Sequence, residues 1–465
     1  MKIFNSITKE KEDFTPLEKG HIKMYVCGPT VYDYLHVGNA RPLVVFDTVR
    51  RFLENQGYIV NYVQNFTDVD DKIIQRALAE NTTMDAISIR YINEARTDMN
   101  GLNILAPTFS PKVTEEMESI IQMIQTLVTM NHAYETEGSV YFDTATFPKY
   151  GILKKVNQEQ SQSRLEEDNH KRNPDDFVLW KAKKKDEPFF ESPWGQGRPG
   201  WHIECSAMAK KYLGSTIDIH GGGIDLLFPH HENEIAQSCC ANKAPFANFF
   251  MHNGFINIES KKMSKSEGNF FTIRDVANNV GYNTLRFYIL SHHYRSTIDF
   301  SRELLESAKM GLARITQCLK NLQFIVENKQ ENSGETLTDV LASTKDTKKF
   351  RHDFEQALKD DFNTALAISI IFDYVKFANL HVTEQSPLHL AEEIRREITD
   401  MCQILGLKFE ESKEINEEIE DLIKQREEAR KAKDYALADK IRQQITQMGV
   451  VLEDTKSGIR WRYIE

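Results

Sequence analysis

Residues Lys23–Cys27 form a short apolar run that stops abruptly at Gly28-Pro29-Thr30. A run of that length, ended by glycine and proline, predicts a buried strand whose carboxyl end opens into a loop. Arg41–Leu53 then places Val44, Val45, Val49, Phe52 and Leu53 at helical spacing toward a core. Asn61–Phe66 predicts a second strand and Asp70–Glu80 a second helix. Parallel neighbours need a crossover helix, so this strand–helix–strand rhythm predicts an α/β fold with a doubly wound parallel sheet, Rossmann-like in class. Such sheets bind ligands at the carboxyl ends of their strands, where Cys27 and His36 fall.

The rhythm is interrupted further on. Met84, Ile87, Tyr91, Ala95 and Met99 predict one helix. A second is expected to start near Thr114 as its cap, with Met117, Ile120, Ile121, Ile124, Leu127 and Val128 on one face. Between Tyr134 and Pro199 the segments shorten and charges accumulate, which predicts an insertion into the parallel-sheet domain. The sheet resumes at Thr216–His220 and Phe249–Ile258. After Phe300 the pattern is helical to the end. It opens with a long amphipathic helix through Leu304, Leu305, Ala308, Leu312, Ile315, Leu319 and Leu322. Glu327–Glu335 reads as a polar loop, Thr347–Leu405 as further helices and Lys408–Glu420 as an acidic, solvated linker.

At 465 residues the chain is too long for one core, so several domains are expected. No run of about 18 apolar residues is present, so no membrane span is expected. Met1–Ser6 lacks a hydrophobic export core, and a cytoplasmic location is the expectation. Six cysteines in so long a chain do not make a disulfide framework and read as reduced thiols. Cys239, Cys240, Cys318 and Cys402 are expected as buried packing residues. A net charge of -11 argues against a generic nucleic-acid binder but leaves room for a local basic strip.

Three groups of residues carry chemistry. Lys262-Met263-Ser264-Lys265-Ser266 sets two ammonium groups and two hydroxyls in a short loop beside Gly268. Such a loop can neutralise a polyphosphate. His36-Val37-Gly38-Asn39 follows a strand and leads into a helix, whose first backbone donors attract anions. Together they can clamp one triphosphate from two sides. Cys27, Cys205, His230 and Glu234 offer two thiolates, an imidazole and a carboxylate, a donor mix that suits Zn²⁺. On spacing alone a buried free thiol is the commoner fate of such cysteines, and the ligands converge only if the fold brings strand ends together. Trp201 either packs against a small substrate or is a partly buried core aromatic. Gly221 and Gly223 permit close approach of a ligand, and Asp225 can accept from ribose hydroxyls.

Seven segments then appear in order: Gly28–Asp33, His36–Arg41, Asn65–Asp68, Gly200–Ser206, Gly221–Leu226, His230–Glu234 and Lys262–Ser266. In that order they resemble the cysteinyl-tRNA synthetase family of class I aminoacyl-tRNA synthetases. The resemblance implies activation of L-cysteine by ATP, with Mg²⁺, followed by transfer to tRNA-Cys. It implies one Zn²⁺ per chain, held by Cys27, Cys205, His230 and Glu234, that reads the substrate thiol. It implies catalytic roles for His36, Asn39, Lys262 and Lys265, and an ATP and amino-acid pocket at Gly28, Thr30, Thr67, Trp201, Gly221, Gly223, Asp225 and Lys265. The family usually carries a second histidine where Asn39 stands; an amide donates a similar hydrogen bond but carries no charge.

The resemblance also maps the domains. A Rossmann-like catalytic domain is split between residues 1–110 and 200–260, with a connective insertion at 111–199. A lysine-loop and stem-contact region is expected at 261–305, an α-helical bundle at 306–407 and an anticodon-binding unit at 408–465. In that last unit Lys424, Arg426, Arg430, Lys431 and Lys433 would track phosphates, and Tyr435 and Trp461 would offer stacking faces. Asp360–Thr364 matches the pattern of the bundle, and family analogy implies a monomer. Two rival readings are a ligase that gives cysteine to an amino sugar and a noncatalytic zinc- and RNA-binding protein. The terminal unit speaks against the first, and His36, Lys262 and Lys265 against the second.

Overall fold

The structure, a computed structural model, describes residues 1–153, 170–185, 187–258, 261–262, 271–328, 337–384, 386–409, 417–455 and 458–463. It divides into two compact units. The first comprises residues 1–309, 355–368 and 404–407, and the second 310–354, 369–403 and 408–465.

In the first unit an antiparallel pair, β1 (Lys2–Asn5) and β2 (Glu10–Asp13), precedes the nucleotide-type core. β3 (His21–Val26), α1 (Val37–Asn55) and β4 (Ile59–Gln64) form the expected strand–helix–strand unit. They are followed by α2 (Asp71–Ala79), α3 (Met84–Gly101) and α4 (Met117–Thr129). β5 (Ala133–Thr136), β6 (Ser139–Phe142), β7 (Phe177–Ala182) and β8 (Gly197–Pro199) make an antiparallel sheet in that order. This sheet is the insertion. α5 (Trp201–Leu213), β9 (Ile217–Gly223), α6 (Glu232–Asn242) and β10 (Ala247–Asn253) then complete a four-stranded sheet of order β10-β9-β3-β4. All its pairings are parallel. β9 is buried along its whole length, as a strand covered on both faces must be.

The unit continues through β11 (Ile256–Ile258), β12 (Lys261–Lys262), α7 (Ile273–Val280), α8 (Tyr282–Leu290) and β13 (Ile298–Phe300). β11 pairs antiparallel with β12 and parallel with β13. Trp180 of the insertion is fully buried in one cluster with Cys27, Ile203, Cys205 and Ile235. The insertion is thereby packed onto the end of the sheet that carries the thiols.

α9 (Arg302–Asn328) is the long helix expected after Phe300. It is followed by α10 (Leu337–Lys359), α11 (Thr364–His381), α12 (Leu388–Ile404), α13 (Glu417–Lys431) and α14 (Tyr435–Gln447). In the second unit Leu312, Ile315, Leu319 and Leu322 are buried, and the Phe350 and Tyr374 rings stack at 4.5 Å. Among the described residues no helix is long and apolar enough to cross a membrane.

Several expectations need correction. Thr114 does not cap α4. Its amide and hydroxyl both donate to Asp68, at 3.0 and 2.5 Å, and the helix starts at Met117. The second unit is not helical to its end, because β14 (Val450–Thr455) and β15 (Gly458–Tyr463) form an antiparallel hairpin. α13 begins inside the stretch read as a linker, because Ile419 and Leu422 give its charged sequence a buried face. α10 starts ten residues before Thr347, at Leu337, and most of the Glu327–Glu335 loop lies outside the described residues.

Candidate active site

β3 and β9 are adjacent and parallel, with Tyr25 opposite His220, so both strands end at one level. The Cys27 amide donates to the Gly221 carbonyl at 3.2 Å, which sets the thiol beside β9. α5 presents Cys205 from its first turns, and the bent segment Leu227–His231 leads His230 into α6, which carries Glu234. Cys27 Sγ lies 3.5 Å from His230 Nε2 and 3.4 Å from Glu234 Oε1. His230 Nε2 is 3.0 Å from Glu234 Oε1. All four residues are buried, and their donor atoms lie within 4.8 Å of one another.

That set fits zinc. Bonds of about 2.0–2.3 Å directed to tetrahedral corners put donors roughly 3.3–3.8 Å apart, close to the spacings seen. The electrostatics agree. The Cys27 thiol, hydrogen-bonded to Cys205, draws the Cys205 pKa down to about 6 against the effect of burial. Burial pushes the Cys27 thiol up. Burial also disfavours charge on His230 and Glu234. Even so, Glu234 lifts His230 to about 10, and His220 and His230 hold the Glu234 carboxyl well below its usual range. A cation entering this nest meets Cys205 and Glu234 already inclined to ionise and must displace the protons of Cys27 and His230.

Two further histidines share the basin, and sequence reasoning missed His220. His231 Nε2 is 3.4 Å and His220 Nε2 3.8 Å from Cys27 Sγ. With Cys27 and Glu234 they form a second, overlapping donor set. His231, left outside the metal set on sequence, is thus as near the thiol as His230 is. The signal for His220 is its place at the carboxyl end of a strand beside the Cys27 strand. His231 Nδ1 in turn faces His252 Nε2 at 2.8 Å, and His252 Nδ1 faces Ser6 Oγ at 2.7 Å.

An amide ties the thiol side to the rest of the floor. Asn65 Oδ1 accepts from the Gly28 N–H at 2.9 Å and from the Tyr25 hydroxyl at 3.2 Å, and the Cys205 thiol lies 3.8 Å away. A Cβ on Gly28 would stand 1.6 Å from the Asn65 carbonyl oxygen, so only glycine fits that crossing. Thr30 and Thr67 pair across the two strand ends. The Thr67 hydroxyl donates to Glu204 at 3.1 Å and is buried. Trp201 is 40% exposed, with its ring 4.4 Å from that of His230. The glycine at Gly221 answers to packing, since a Cβ there would meet the Phe46 ring at 2.4 Å. At Gly223 the corresponding space holds Asp225 Oδ1.

The segment His36–Asn39, expected to meet phosphate, lies at the start of α1. His36 is extended, and the Asn39 Oδ1 accepts its backbone N–H at 3.1 Å. Gly38 lies beneath the His36 ring, where a Cβ would come within 2.8 Å. Residues 263–270, and with them Lys265, lie outside the described residues; Lys262 is placed by backbone pairing of β12 to Asn257. The carboxyl-side flank of that stretch is held beside the start of α1. The Val37 amide donates to Phe271 O at 3.1 Å and Ile273 N to Leu35 O at 2.9 Å. Arg41, almost wholly buried, donates to the carbonyls of Phe255, Tyr294 and Ser296 around β11 and β13.

Comparison with known proteins agrees with this geometry. The family model for the class I (C) tRNA synthetase catalytic domain matches residues 13–310. A DALR domain model matches residues 353–410, and the cysteinyl-tRNA ligase anticodon binding domain matches 412–462. The chain is 52% identical to the cysteine–tRNA ligase of Lachnoclostridium phytofermentans, over 99% of this chain and 100% of that one. It is 48% identical to that of Clostridioides difficile strain 630, over 100% of both. The chain belongs to the cysteinyl-tRNA synthetase family.

Solved structures of other class I enzymes share its fold. Mycobacterium tuberculosis methionyl-tRNA synthetase bound by methionyl-adenylate superposes with a TM-score of 0.62 at 13% identity, over 83% of this chain and 91% of that one. The LeuRS of Agrobacterium radiobacter K84, in a ternary complex with tRNA, gives 0.63 at 11% identity over 85% of each chain. At such identities the likeness speaks for the fold alone.

Within the segment matched by the cysteinyl-tRNA ligase anticodon-binding family, the structure sorts the expected contacts. Arg426 is not a free phosphate contact. It is buried and forks onto Asp454 through bonds of 2.8 and 2.9 Å. Arg430 also reaches Asp454, at 2.6 Å, and stays half exposed. Lys433 sits exposed in a left-handed turn, and Tyr435 opens α14 with 63% of its surface exposed. Trp461 packs against the small core of Ile419, Leu422, Ile441, Ile445, Val450 and Leu452. Cys240, Cys318 and Cys402 are buried as expected, and Cys239 is partly so.

Proposed function

We propose that this chain activates L-cysteine with ATP and transfers it to tRNA-Cys. The observation that carries the reading is the nest of Cys27, Cys205, His230 and Glu234 at the ends of parallel strands, in a chain related along its whole length to cysteine–tRNA ligases. The cysteine carboxylate attacks the α-phosphorus of ATP, and pyrophosphate leaves with the electrons of the broken bond. Charge grows on that leaving group. Lys262 and Lys265 would neutralise it from one side, and His36 and Asn39 from the other. One such donor is worth about 3–4 kcal/mol in the transition state. Mg²⁺ bound with ATP shares this neutralisation. A ribose hydroxyl of the tRNA end then attacks the acyl carbonyl and AMP departs.

Zinc in the nest supplies a soft Lewis-acid contact that favours a thiolate over the hydroxyl of serine. The residues around it hold the amino acid: Trp201 lies along the His230 ring, and Gly28 and Thr30 line the strand end. Thr67 would border the amino-acid side, and Gly221, Gly223 and Asp225 the nucleotide side of the same pocket. Arg430, Lys433, Tyr435 and Trp461 belong to the tRNA-reading unit, and the enzyme works as a cytoplasmic monomer. Cysteine-dependent exchange of pyrophosphate into ATP tests the first step, and acylation of tRNA the second. Exchange without tRNA acylation would overturn the synthetase reading; no exchange would overturn the enzyme.

A further inference from the structure

We propose that His202 is a positioning residue that sets the tautomer and ring orientation of His230 for the metal. The inference rests on the reading of His230 as a zinc ligand. His202 Nδ1 lies 2.8 Å from His230 Nδ1, within hydrogen-bond distance. His230 Nε2 is the nitrogen turned to Cys27 and Glu234, at 3.5 and 3.0 Å. An imidazole that offers Nε2 to a cation while neutral carries its proton on Nδ1. Among the described residues the acceptor at hand for that proton is His202, which must then present a bare Nδ1 and keep its own proton on Nε2.

Metal-bound histidines are usually braced by a carboxylate, a backbone carbonyl or water. Here another imidazole takes that place, and it is itself clamped. Its ring meets Phe177 edge-on at 5.8 Å and Trp201 at 5.4 Å. Its backbone carbonyl accepts from Gln237 Nε2 at 2.9 Å, and the same nitrogen donates to Ser206 Oγ at 2.9 Å. Ser206 Oγ donates to the Glu234 carbonyl at 3.4 Å. The brace therefore runs between α5, which carries Cys205, and α6, which carries Glu234. A shift of His202 would move an imidazole ligand and loosen the two helices that supply the other donors.

The test uses the full chain in four forms: unaltered, His202→Leu, His202→Asn and His230→Leu. His202→Leu removes the acceptor, whereas His202→Asn keeps an oxygen where Nδ1 stood. Zinc affinity is read by competition with a chromogenic chelator, and KM values for cysteine and ATP by pyrophosphate exchange. His202→Leu should weaken zinc binding about 10–100-fold and raise the cysteine KM while leaving the ATP KM unchanged. His202→Asn should recover most of both. Nitrogen-15 shifts of the unaltered, zinc-loaded protein should show His202 protonated on Nε2, a readout that does not depend on a variant folding. Unchanged zinc affinity in His202→Leu, no recovery in His202→Asn, or a His202 proton on Nδ1 would each overturn the proposal. A His230→Leu protein that keeps its zinc would overturn the metal assignment beneath it instead.

Discussion

The side-chain oxygen of Asn39 accepts the backbone N–H of His36 at 3.1 Å, closing the first turn of α1 on itself. Only the oxygen of an amide accepts, so this bond fixes which way the amide is turned and leaves the NH₂ group as a donor for an anion. A neutral donor can thus stand where the family usually has histidine. Asn39→Ala should lower kcat for pyrophosphate exchange about 10²–10³-fold. The lost cap should cost about 1 kcal/mol of stability. The cysteine KM should not move. Full kcat in Asn39→Ala would remove this side of the phosphate clamp.

The proposed function puts Cys205, one of the four buried donors, on the amino-acid side of the pocket. The unaltered protein should contain about one zinc per chain by elemental analysis. Cys205→Ser should lose the metal and cysteine binding together, while ATP binding by calorimetry stays as it was. Loss of ATP binding alone would contradict the assignment.

Asp47 and Arg286 form a buried ion pair, 2.5 Å apart, behind the sheet. Arg286 also donates to the carbonyls of Leu405 and Leu102, at 2.6 and 2.9 Å. Asp47→Ala leaves that guanidinium buried without its countercharge, which should cost about 3–5 kcal/mol. Denaturant unfolding measures it; a loss below about 1 kcal/mol would mean that the backbone carbonyls suffice.

Hydrogen bonds from Arg426 hold the Asp454 carboxyl below its usual range. A carboxylate depressed in the folded state contributes stability above its unfolded pKa, about 3.9, and loses it as pH falls through the folded value. Hydrogen exchange of the β14 and β15 amides should therefore quicken as pH drops from about 5 to 3, once corrected for intrinsic rates. Asp454→Asn should flatten that dependence. An unchanged profile would show that the fork carries none of the hairpin's stability.

Local pattern was enough for much of the fold. The apolar run at Lys23–Cys27 and the helical spacing after it placed β3, α1 and β4 within a few residues, because burial on both faces leaves a continuous apolar trace. It failed where partners are distant. Thr114 reads as a cap until Asp68 is seen to take both its donors. The terminal hairpin hides among charged residues because its one apolar face is completed by Ile441 and Ile445 of a helix.

The sequence by itself determined the parallel sheet and its interruption; it proposed two phosphate-binding segments and, through the family resemblance, the four residues of the metal nest. Periodicity and residue chemistry are local and survive without the fold. Only the tertiary structure decided that His220 and His231 share the basin with Cys27. It also decided that His202 backs His230, that Arg426 is spent on Asp454, and that Gly221 is a glycine because Phe46 fills the space beside it. Each of those is a meeting of residues far apart in the chain, and a strand end or a helix turn acquires such neighbours only when the chain has packed.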